Sequence, residues 1–234
     1  MRVAIDRIDI DTDRRRVRVG AGVSSARLVE TLVDEGIGGL EFAAGLPGTI
    51  GGAVAGNAGC FGSTVGERLV SADAISREGT ALEVEGPGWF GFGYRRSRVA
   101  AEGAVLTDVV LAVEPGDRAR LREESAARLA DRAGRHPPPG TLTAGSYFRN
   151  LPPLEPGGRR RAAGLLLDRV GAKEMSEGDA AVFERHANIV VNRGRASARD
   201  VLALTRGMAA RVEKRFGEVL VPEVRFVGSS PEGF

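Results

Sequence analysis

The chain has 234 residues, 42% hydrophobic and 27% charged, which is ordinary for a globular protein with one large domain or two modest ones. Its 33 Lys and Arg against 31 Asp and Glu leave a net charge of +2, so no strong field recruits nucleic acid. One cysteine excludes an intrachain disulfide, two histidines argue against a metal site, and no apolar run is long enough to span a membrane, so we expect a cytoplasmic protein.

The first part of the chain is predicted to form two strands and a helix. Residues 2–9 and 14–19 alternate between apolar and polar side chains around a turn, which is typical of paired strands. A helix follows, capped by Ser24 or Ser25 and ended by Gly36.

Ten of the 33 glycines lie between Gly36 and Gly62. Glycine weakens helices and strands and is kept where the backbone turns sharply or approaches another group closely. A long surface loop is one interpretation, but these glycines alternate with apolar residues, unlike those of a flexible linker. We favour a backbone platform for a flat ligand, with N–H groups near Thr49 to Gly52 aimed at it. The spacing matches neither a dinucleotide fingerprint nor a P-loop.

After this segment the sequence predicts a hairpin, a strand and a change of composition. Leu69–Ser76 and Thr80–Glu85 flank a turn, and Ala104–Val113 is typical of another strand. A charged helical stretch from Asp117 to Gly134 then runs into a proline-rich segment. We place the domain boundary across this region.

The rest of the chain is predicted to alternate between helices and strands, so the whole reads as α+β in two lobes. The predicted elements are an apolar helix around Ala162–Val170, a buried strand Ala187–Val191, a helix Ser197–Phe216 and a strand Val219–Val227 interrupted by Pro222. On the long helix one face is shared by Val201, Leu204, Thr205, Met208 and Val212.

Polar residues stand out at several places, and each has a structural explanation beside a chemical one. Arg95, in an arginine pair after a Gly-rich turn, could bind a carboxylate or phosphate or simply be solvated. Ser146, between glycine and two aromatic residues, could be partly dehydrated or only bond nearby backbone, and it is not in a nucleophile elbow. Glu223 could equally face water, and His186 is better explained as a structural histidine.

Taken in order, six motifs resemble the UDP-N-acetylenolpyruvoylglucosamine reductase (MurB) family, flavoenzymes that complete UDP-N-acetylmuramate for bacterial peptidoglycan. The motifs are GLEFAAGLPGTIGGAVAGNAG (39–59), GFGYRRS (91–97), AGSYFRN (144–150), AGLLLDRVGAK (163–173), HANIVVNRG (186–194) and VPEVRFVG (221–228). The resemblance runs from about Val3 to Gly228, and its spacing resembles the shorter branch of the family, without an extra substrate-covering loop.

The resemblance implies a reduction in two stages. In the family, NADPH first reduces a bound FAD, and the enolpyruvyl substrate then takes a hydride from the flavin at its terminal alkene carbon. The serine matching Ser146 donates a proton to the resulting enol or enolate, and the residues matching Arg95 and Glu223 stabilise it. A fixed cation beside the developing charge lowers the barrier, and a serine donor needs a strongly basic acceptor and tight positioning.

The resemblance also implies ligand contacts. Tyr94 and Asn150 would contact the substrate, whereas His186, Asn188 and Asn192 would support the fold. The flavin would lie against Pro47, Gly48, Thr49, Ile50, Gly51, Gly52, Asn57, Ala58 and Gly59.

The implied fold is α+β, with an incomplete PCMH-type (vanillyl-alcohol-oxidase-like) FAD-binding domain at 1–116, a MurB-type C-terminal α+β substrate domain at 117–228 and a tail at 229–234. The family's Gly-Gly-Gly-Ser-Asn-type loop, which holds the FAD pyrophosphate, has no counterpart in this sequence. We favour a truncated chain or late gene start that leaves most of a reductase. A lobe supplied as a separate polypeptide, and a short relative that binds a UDP-sugar or similar ligand without FAD or redox turnover, are the alternatives. We also expect weak FAD binding and aggregation of this chain alone.

Overall fold

The computed structural model describes residues 5–227, and it divides between residues 132 and 133 into two compact units. The start of the predicted strand 2–9 and the predicted tail 229–234 lie outside the described residues. Both units mix helices with antiparallel sheet, which confirms the α+β prediction. Within residues 5–227, no helix combines the length and the hydropathy that crossing a bilayer requires.

The first unit is built on a five-stranded antiparallel sheet. Its elements are β1 (Ile8–Asp11), β2 (Arg16–Gly20), α1 (Ser25–Asp34), β3 (Ile37–Gly38), α2 (Ile50–Ala55), β4 (Gly59–Cys60), β5 (Ser63–Thr64), β6 (Leu69–Ile75), β7 (Ala81–Glu85), α3 (Arg98–Glu102), β8 (Val105–Ala112), β9 (Glu114–Pro115) and α4 (Arg118–Arg135). Short 3₁₀ turns cover Glu41–Ala43 and Val65–Glu67. The unit division falls in the last turn of α4, within the region across which the domain boundary is predicted from the sequence, although the predicted domains meet at 116/117.

Alternation along the central strands places the core on one side of this sheet, whose order is β1-β2-β8-β6-β7. Val17 and Val19 of β2 are fully buried opposite Leu111 and Val109 of β8. Full burial of such a side chain contributes about 1.5–3 kcal/mol. Helix α1 covers the same core, and the residue before it, Ser24, accepts a hydrogen bond on its hydroxyl from the Arg27 N–H. Ser24 is therefore the cap of the predicted helix.

The predicted hairpin is confirmed, because β6 pairs with β7 in antiparallel register from Ser71↔Glu85 to Ile75↔Ala81. Gly79, in its turn, has a φ of +88°, a conformation that favours glycine. The first strand pair also forms around the expected turn. The described strands begin later than predicted, β1 at Ile8 in place of residue 2 and β2 at Arg16 in place of residue 14. Strand ends are set by pairing, which the alternation of side chains does not specify.

The second unit packs two helices on a four-stranded antiparallel sheet of order β10-β13-β12-β11. Its elements are β10 (Leu142–Ser146), α5 (Ala163–Arg169), β11 (Ser176–Glu177), β12 (Ala180–Phe183), β13 (His186–Asn192) and α6 (Ala198–Phe216), with a 3₁₀ turn at Ala172–Glu174. Helix α6 begins with a capping box of Ser197 and Asp200 and ends at Gly217, which is left-handed with φ +67°. Four of the five residues predicted on its apolar face are buried, and Val201 is partly buried against them.

The prediction of a closing strand at Val219–Val227 is wrong. Only Pro222 takes part in β-type pairing, as an isolated bridge to Phe148, and Val221 and Val227 are exposed. Proline has no N–H to donate to a ladder, so the pairing stays short despite the apolar pattern around it.

Candidate functional site

The glycine-rich segment of the first unit folds into the short helix α2 and the loop before it. Thr49 caps the helix, because its hydroxyl accepts a hydrogen bond from the Gly52 N–H at 3.3 Å. The Ile50 N–H donates to the Val23 carbonyl and the Gly51 N–H to the Ala21 carbonyl. The prediction that N–H groups from Thr49 to Gly52 aim at a ligand is therefore wrong for Ile50, Gly51 and Gly52, which bond within the protein.

A surface without side-chain bulk remains, as predicted. Pro47, Gly48, Thr49 and Gly52 are exposed. A Cβ added at Gly48 would meet nothing within 4 Å, and one at Gly52 would meet only the Thr49 hydroxyl at 3.6 Å. At Gly51, by contrast, it would lie 2.8 Å from the Cβ of Ala21. Internal packing thus requires one glycine of α2, while the other leaves an open, flat surface that a planar ligand can approach.

The loop after α2 is held by Asn57, which is buried and has a φ of +43°. Its amide nitrogen donates to the Gly93 carbonyl at 3.1 Å, and its amide oxygen accepts from the Gly66 N–H at 3.1 Å. The Ala58 N–H donates to the Ala53 carbonyl, and a Cβ at Gly59 would lie 2.6 Å from the Ser63 carbonyl oxygen. The side chain of Asn57 therefore joins this loop to the turn at residue 93.

That turn presents Tyr94 and Arg95 at its tip. Gly93 and Arg96 exchange main-chain hydrogen bonds across it, and Arg95 has a φ of +54°. A left-handed non-glycine residue costs roughly 1–2 kcal/mol, and such residues cluster at functional sites. The Arg95 guanidinium lies 3.4 and 3.5 Å from the Gly59 carbonyl oxygen and 5.3 Å from the centre of the Tyr94 ring. Gly59, Tyr94 and Arg95, which the resemblance assigns to the flavin, the substrate and the reaction intermediate, thus meet in the first unit.

Sequence reasoning missed the residues that support this cluster. The buried Ser97 hydroxyl donates to the Ala55 carbonyl at 2.6 Å and so fastens the arginine turn to the end of α2. Burial raises the pKa of the Cys60 thiol, and Arg132, Arg128 and Arg95 oppose that rise by their charges. Three guanidinium groups are therefore near enough to this thiol to act on it by their charge. A serine after an arginine pair carries no signal of a contact 42 residues away.

In the second unit, Ser146 lies at the end of β10, where the register shifts after Thr143 and Gly145 has a φ of +77°. Ser146 is exposed, whereas the two aromatic residues that follow it, Tyr147 and Phe148, are buried. The Glu223 N–H donates to the Tyr147 carbonyl at 2.7 Å, and the Glu223 residue is half-buried. The fold therefore brings the predicted proton donor and carboxylate onto adjacent segments, although they are far apart in sequence.

Asn150 and the 186–188 motif have structural partners in the same unit. The Asn150 side-chain oxygen accepts from the Ala163 N–H at 3.3 Å, at the start of α5. His186 is half-buried with its ring centre 5.6 Å from that of His136, and burial, assisted by His136, lowers its pKa. Asn188 is buried and bonds the main chain of Phe148. No three His, Cys, Asp or Glu side chains among residues 5–227 are grouped as a metal site.

Comparison with known proteins gives two family matches. A model described as FAD binding domain matches residues 1–85, and a model described as UDP-N-acetylenolpyruvoylglucosamine reductase, C-terminal domain, matches residues 138–227. UDP-N-acetylenolpyruvoylglucosamine reductase 2 of Symbiobacterium thermophilum is 39% identical over 95% of this chain and 69% of its own length. The reductase of Alkalilimnicola ehrlichii is 39% identical over 92% of this chain and 69% of its own length.

Among solved structures, the UDP-N-acetylenolpyruvylglucosamine reductase of Thermus caldophilus superposes with a TM-score of 0.74 at 32% identity. The match covers 89% of this chain and 71% of that one. The two family models and this structure confirm the predicted fold class, an FAD-binding domain followed by the family's C-terminal domain.

Proposed function

Because the chain belongs to the UDP-N-acetylenolpyruvoylglucosamine reductase family, we propose that it reduces UDP-N-acetylglucosamine enolpyruvate to UDP-N-acetylmuramate, a step of peptidoglycan synthesis. The chain is a flavin-dependent oxidoreductase, and FAD and NADPH are the cofactors that its family implies. The observation that carries the proposal is Arg95, held in a left-handed conformation against Gly59, which lies within the residues that the FAD binding domain model matches. A cytoplasmic location stays a prediction of the sequence.

The residues of the first unit fit a flavin. Gly48 and Gly52 leave open space above the main chain, where a planar ring system can lie without displacing side chains. We assign this surface and Asn57, Ala58 and Gly59 to FAD, which supplies hydride-transfer chemistry when bound. The arginines near Cys60 add positive charge to the same unit.

We assign stabilisation of developing negative charge to Arg95. Hydride addition to an enol ether carrying a carboxylate builds charge at the carbon beside that carboxylate, and a guanidinium is a permanent cation with several fixed donors. The turn from Gly93 to Arg96 holds it in place before substrate arrives, so little reorganisation is needed during the reaction.

We assign proton delivery to Ser146 and a supporting hydrogen bond to Glu223. The Ser146 side chain is exposed at the end of β10, so a substrate can reach its hydroxyl. Serine is a weak acid and protonates only a strongly basic carbon, which is the acceptor that hydride addition creates. Tyr94 and Asn150 remain our candidates for substrate contact.

The test is NADPH oxidation by the FAD-loaded chain without oxygen, with and without UDP-N-acetylglucosamine enolpyruvate. We expect sustained oxidation and formation of UDP-N-acetylmuramate only with that sugar nucleotide. Binding of UDP-sugars without turnover would contradict the proposal and favour the non-redox alternative.

Arg95→Lys should lower the rate by about 100-fold, as loss of a fixed donor does at other sites. Arg96→Lys, at the exposed neighbouring position, is the matched control and should keep the rate.

A further inference from the structure

Asn188 makes an unusual set of contacts with the residues that follow Ser146. It lies in β13 and is 2% exposed. Its side-chain oxygen accepts a hydrogen bond from the Phe148 N–H at 2.9 Å, and its side-chain nitrogen donates to the Phe148 carbonyl at 2.8 Å. Its own carbonyl accepts from the Tyr147 N–H at 2.7 Å. A single residue therefore holds both residues that follow the predicted proton donor.

These bonds take over where ordinary strand pairing ends. The ladder between β10 and β13 stops at Ser146↔Ile189, after a register shift. Beyond that point the Asn188 amide satisfies the Phe148 main chain in place of a neighbouring strand. Its neighbours in β13 are buried apolar residues, and an amide is costly to bury unless it is fully hydrogen-bonded.

On its opposite edge, the same segment is hydrogen-bonded to residues 221–223, which include Glu223. The Glu223 N–H donates to the Tyr147 carbonyl, and the Arg149 N–H donates to the Val221 carbonyl. Residues 147–149 are thus held between Asn188 on one edge and residues 221–223 on the other. A displacement of Phe148 would therefore pass through Tyr147 both to Ser146, its chain neighbour, and to Glu223, its hydrogen-bond partner.

We propose that Asn188 is a positioning residue for proton transfer: its side-chain amide fixes the Phe148 main chain and thereby aligns Ser146 with Glu223. This inference rests on the proposed function. A proton donor that is displaced by about 1 Å loses about 100-fold in rate. Asn188 contributes through this alignment and does not itself contact the reacting atoms.

The decisive variant is Asn188→Asp, which keeps the size of the side chain and its acceptor oxygen. Its ionised carboxylate cannot donate to the Phe148 carbonyl, whereas its protonated form can. At about pH 8, reoxidation of the NADPH-reduced flavin by UDP-N-acetylglucosamine enolpyruvate should slow by about 100-fold. The rate should recover as the pH is lowered, while reduction of the flavin by NADPH stays unchanged at every pH.

Asn192→Asp is the matched control. Asn192 ends the same strand, and the bonds that its side chain makes to Gly194 and Ala196 are both accepted by its oxygen from their N–H groups. An aspartate keeps that acceptor, so both half-reactions should stay as in the parent chain. A second readout needs neither flavin nor substrate: amide hydrogen exchange at Tyr147 and Glu223, whose N–H groups bond the Asn188 and Tyr147 carbonyls, should accelerate about tenfold in Asn188→Asp only, because the segment loses the one hydrogen bond that the Asn188 nitrogen donates. If Asn188→Asp does not fold at about pH 8, Asn188→Ser replaces it in both measurements, because a single and shorter hydroxyl cannot bond both the N–H and the carbonyl of Phe148.

Unchanged reoxidation in Asn188→Asp, or equal loss of both half-reactions, would overturn the inference in favour of a purely structural residue. Ser146→Ala separates the two levels of the argument. If Ser146→Ala reoxidises normally, Ser146 is not the proton donor and there is no donor for Asn188 to position; if the parent chain itself is not reoxidised by the sugar nucleotide, the proposed function fails. If Ser146→Ala is slow and Asn188→Asp is normal, only the positioning role of Asn188 is lost.

Discussion

The two glycines of α2 give a sharp test of the flavin platform. In Gly52→Ala the new Cβ meets only the Thr49 hydroxyl at 3.6 Å, an ordinary contact distance. Alanine is favoured over glycine in a helix by about 0.5–1 kcal/mol, so the free energy of unfolding should stay the same or rise by up to about that amount. The methyl group would nevertheless stand in the space that we assign to the flavin. FAD affinity should therefore fall by at least about tenfold, or about 1.4 kcal/mol.

Gly51→Ala should behave in the opposite way. Its Cβ would lie 2.8 Å from the Cβ of Ala21 and 3.1 Å from the Ala21 carbonyl oxygen, and neither atom can move alone. Overpacking of this kind costs about 1–3 kcal/mol. A lower free energy of unfolding should accompany any loss of FAD binding in this variant, whereas in Gly52→Ala the two properties should separate.

The assays are urea unfolding of the chain without ligand and titration with FAD followed by quenching of flavin fluorescence. Gly134→Ala is the control, because Gly134 lies in α4 and an added Cβ there meets nothing within 4 Å. It should match Gly52→Ala in stability and the parent chain in FAD affinity. If Gly52→Ala binds FAD as tightly as the parent chain, the flavin does not lie on this surface.

Two further predictions concern stability. Ser97→Ala removes the hydrogen bond to the Ala55 carbonyl and the cap of α3. The free energy of unfolding, measured in urea, should therefore fall by about 1–3 kcal/mol. An unchanged value would contradict the role of Ser97 in fastening the turn. Burial and the nearby His136 lower the pKa of His186 in the folded chain from its usual value of 6.5. Keeping this imidazole neutral therefore costs no stability above about pH 6.5, and the free energy of unfolding declines as the pH falls from there toward the lower pKa of the folded chain. His186→Gln should weaken that acid-side loss between about pH 7 and pH 5 in urea midpoints, and an identical pH dependence in both proteins would refute this cause.

Elements with a strong local pattern could be predicted from the sequence. The β6–β7 hairpin has alternating strands around a glycine turn, and α6 has a capping box, an apolar face and a closing glycine. Periodicity and end signals are local properties of a few neighbouring residues, so the sequence shows them directly. The open surface at Gly48 and Gly52 was predicted for a similar reason, from a run of residues without bulky side chains.

Features that depend on a distant partner could not be predicted in this way. The Ile50 and Gly51 N–H groups bond to the carbonyls of Val23 and Ala21, far upstream in the sequence, which no pattern around α2 indicates. The left-handed conformation of Arg95 likewise has no sequence signal. The adjacency of Ser146 and Glu223 followed from family resemblance and not from spacing, because a β-bridge between distant segments is fixed by tertiary packing.

The most direct test of the account is a single-turnover measurement on Ser146→Ala. The FAD-loaded chain is reduced with NADPH without oxygen and mixed with UDP-N-acetylglucosamine enolpyruvate, and flavin absorbance is followed with product formation. We expect normal reduction by NADPH but formation of UDP-N-acetylmuramate at least about 100-fold slower than in the parent chain. Equal rates of product formation in the two proteins would contradict the assignment of Ser146 as the proton donor.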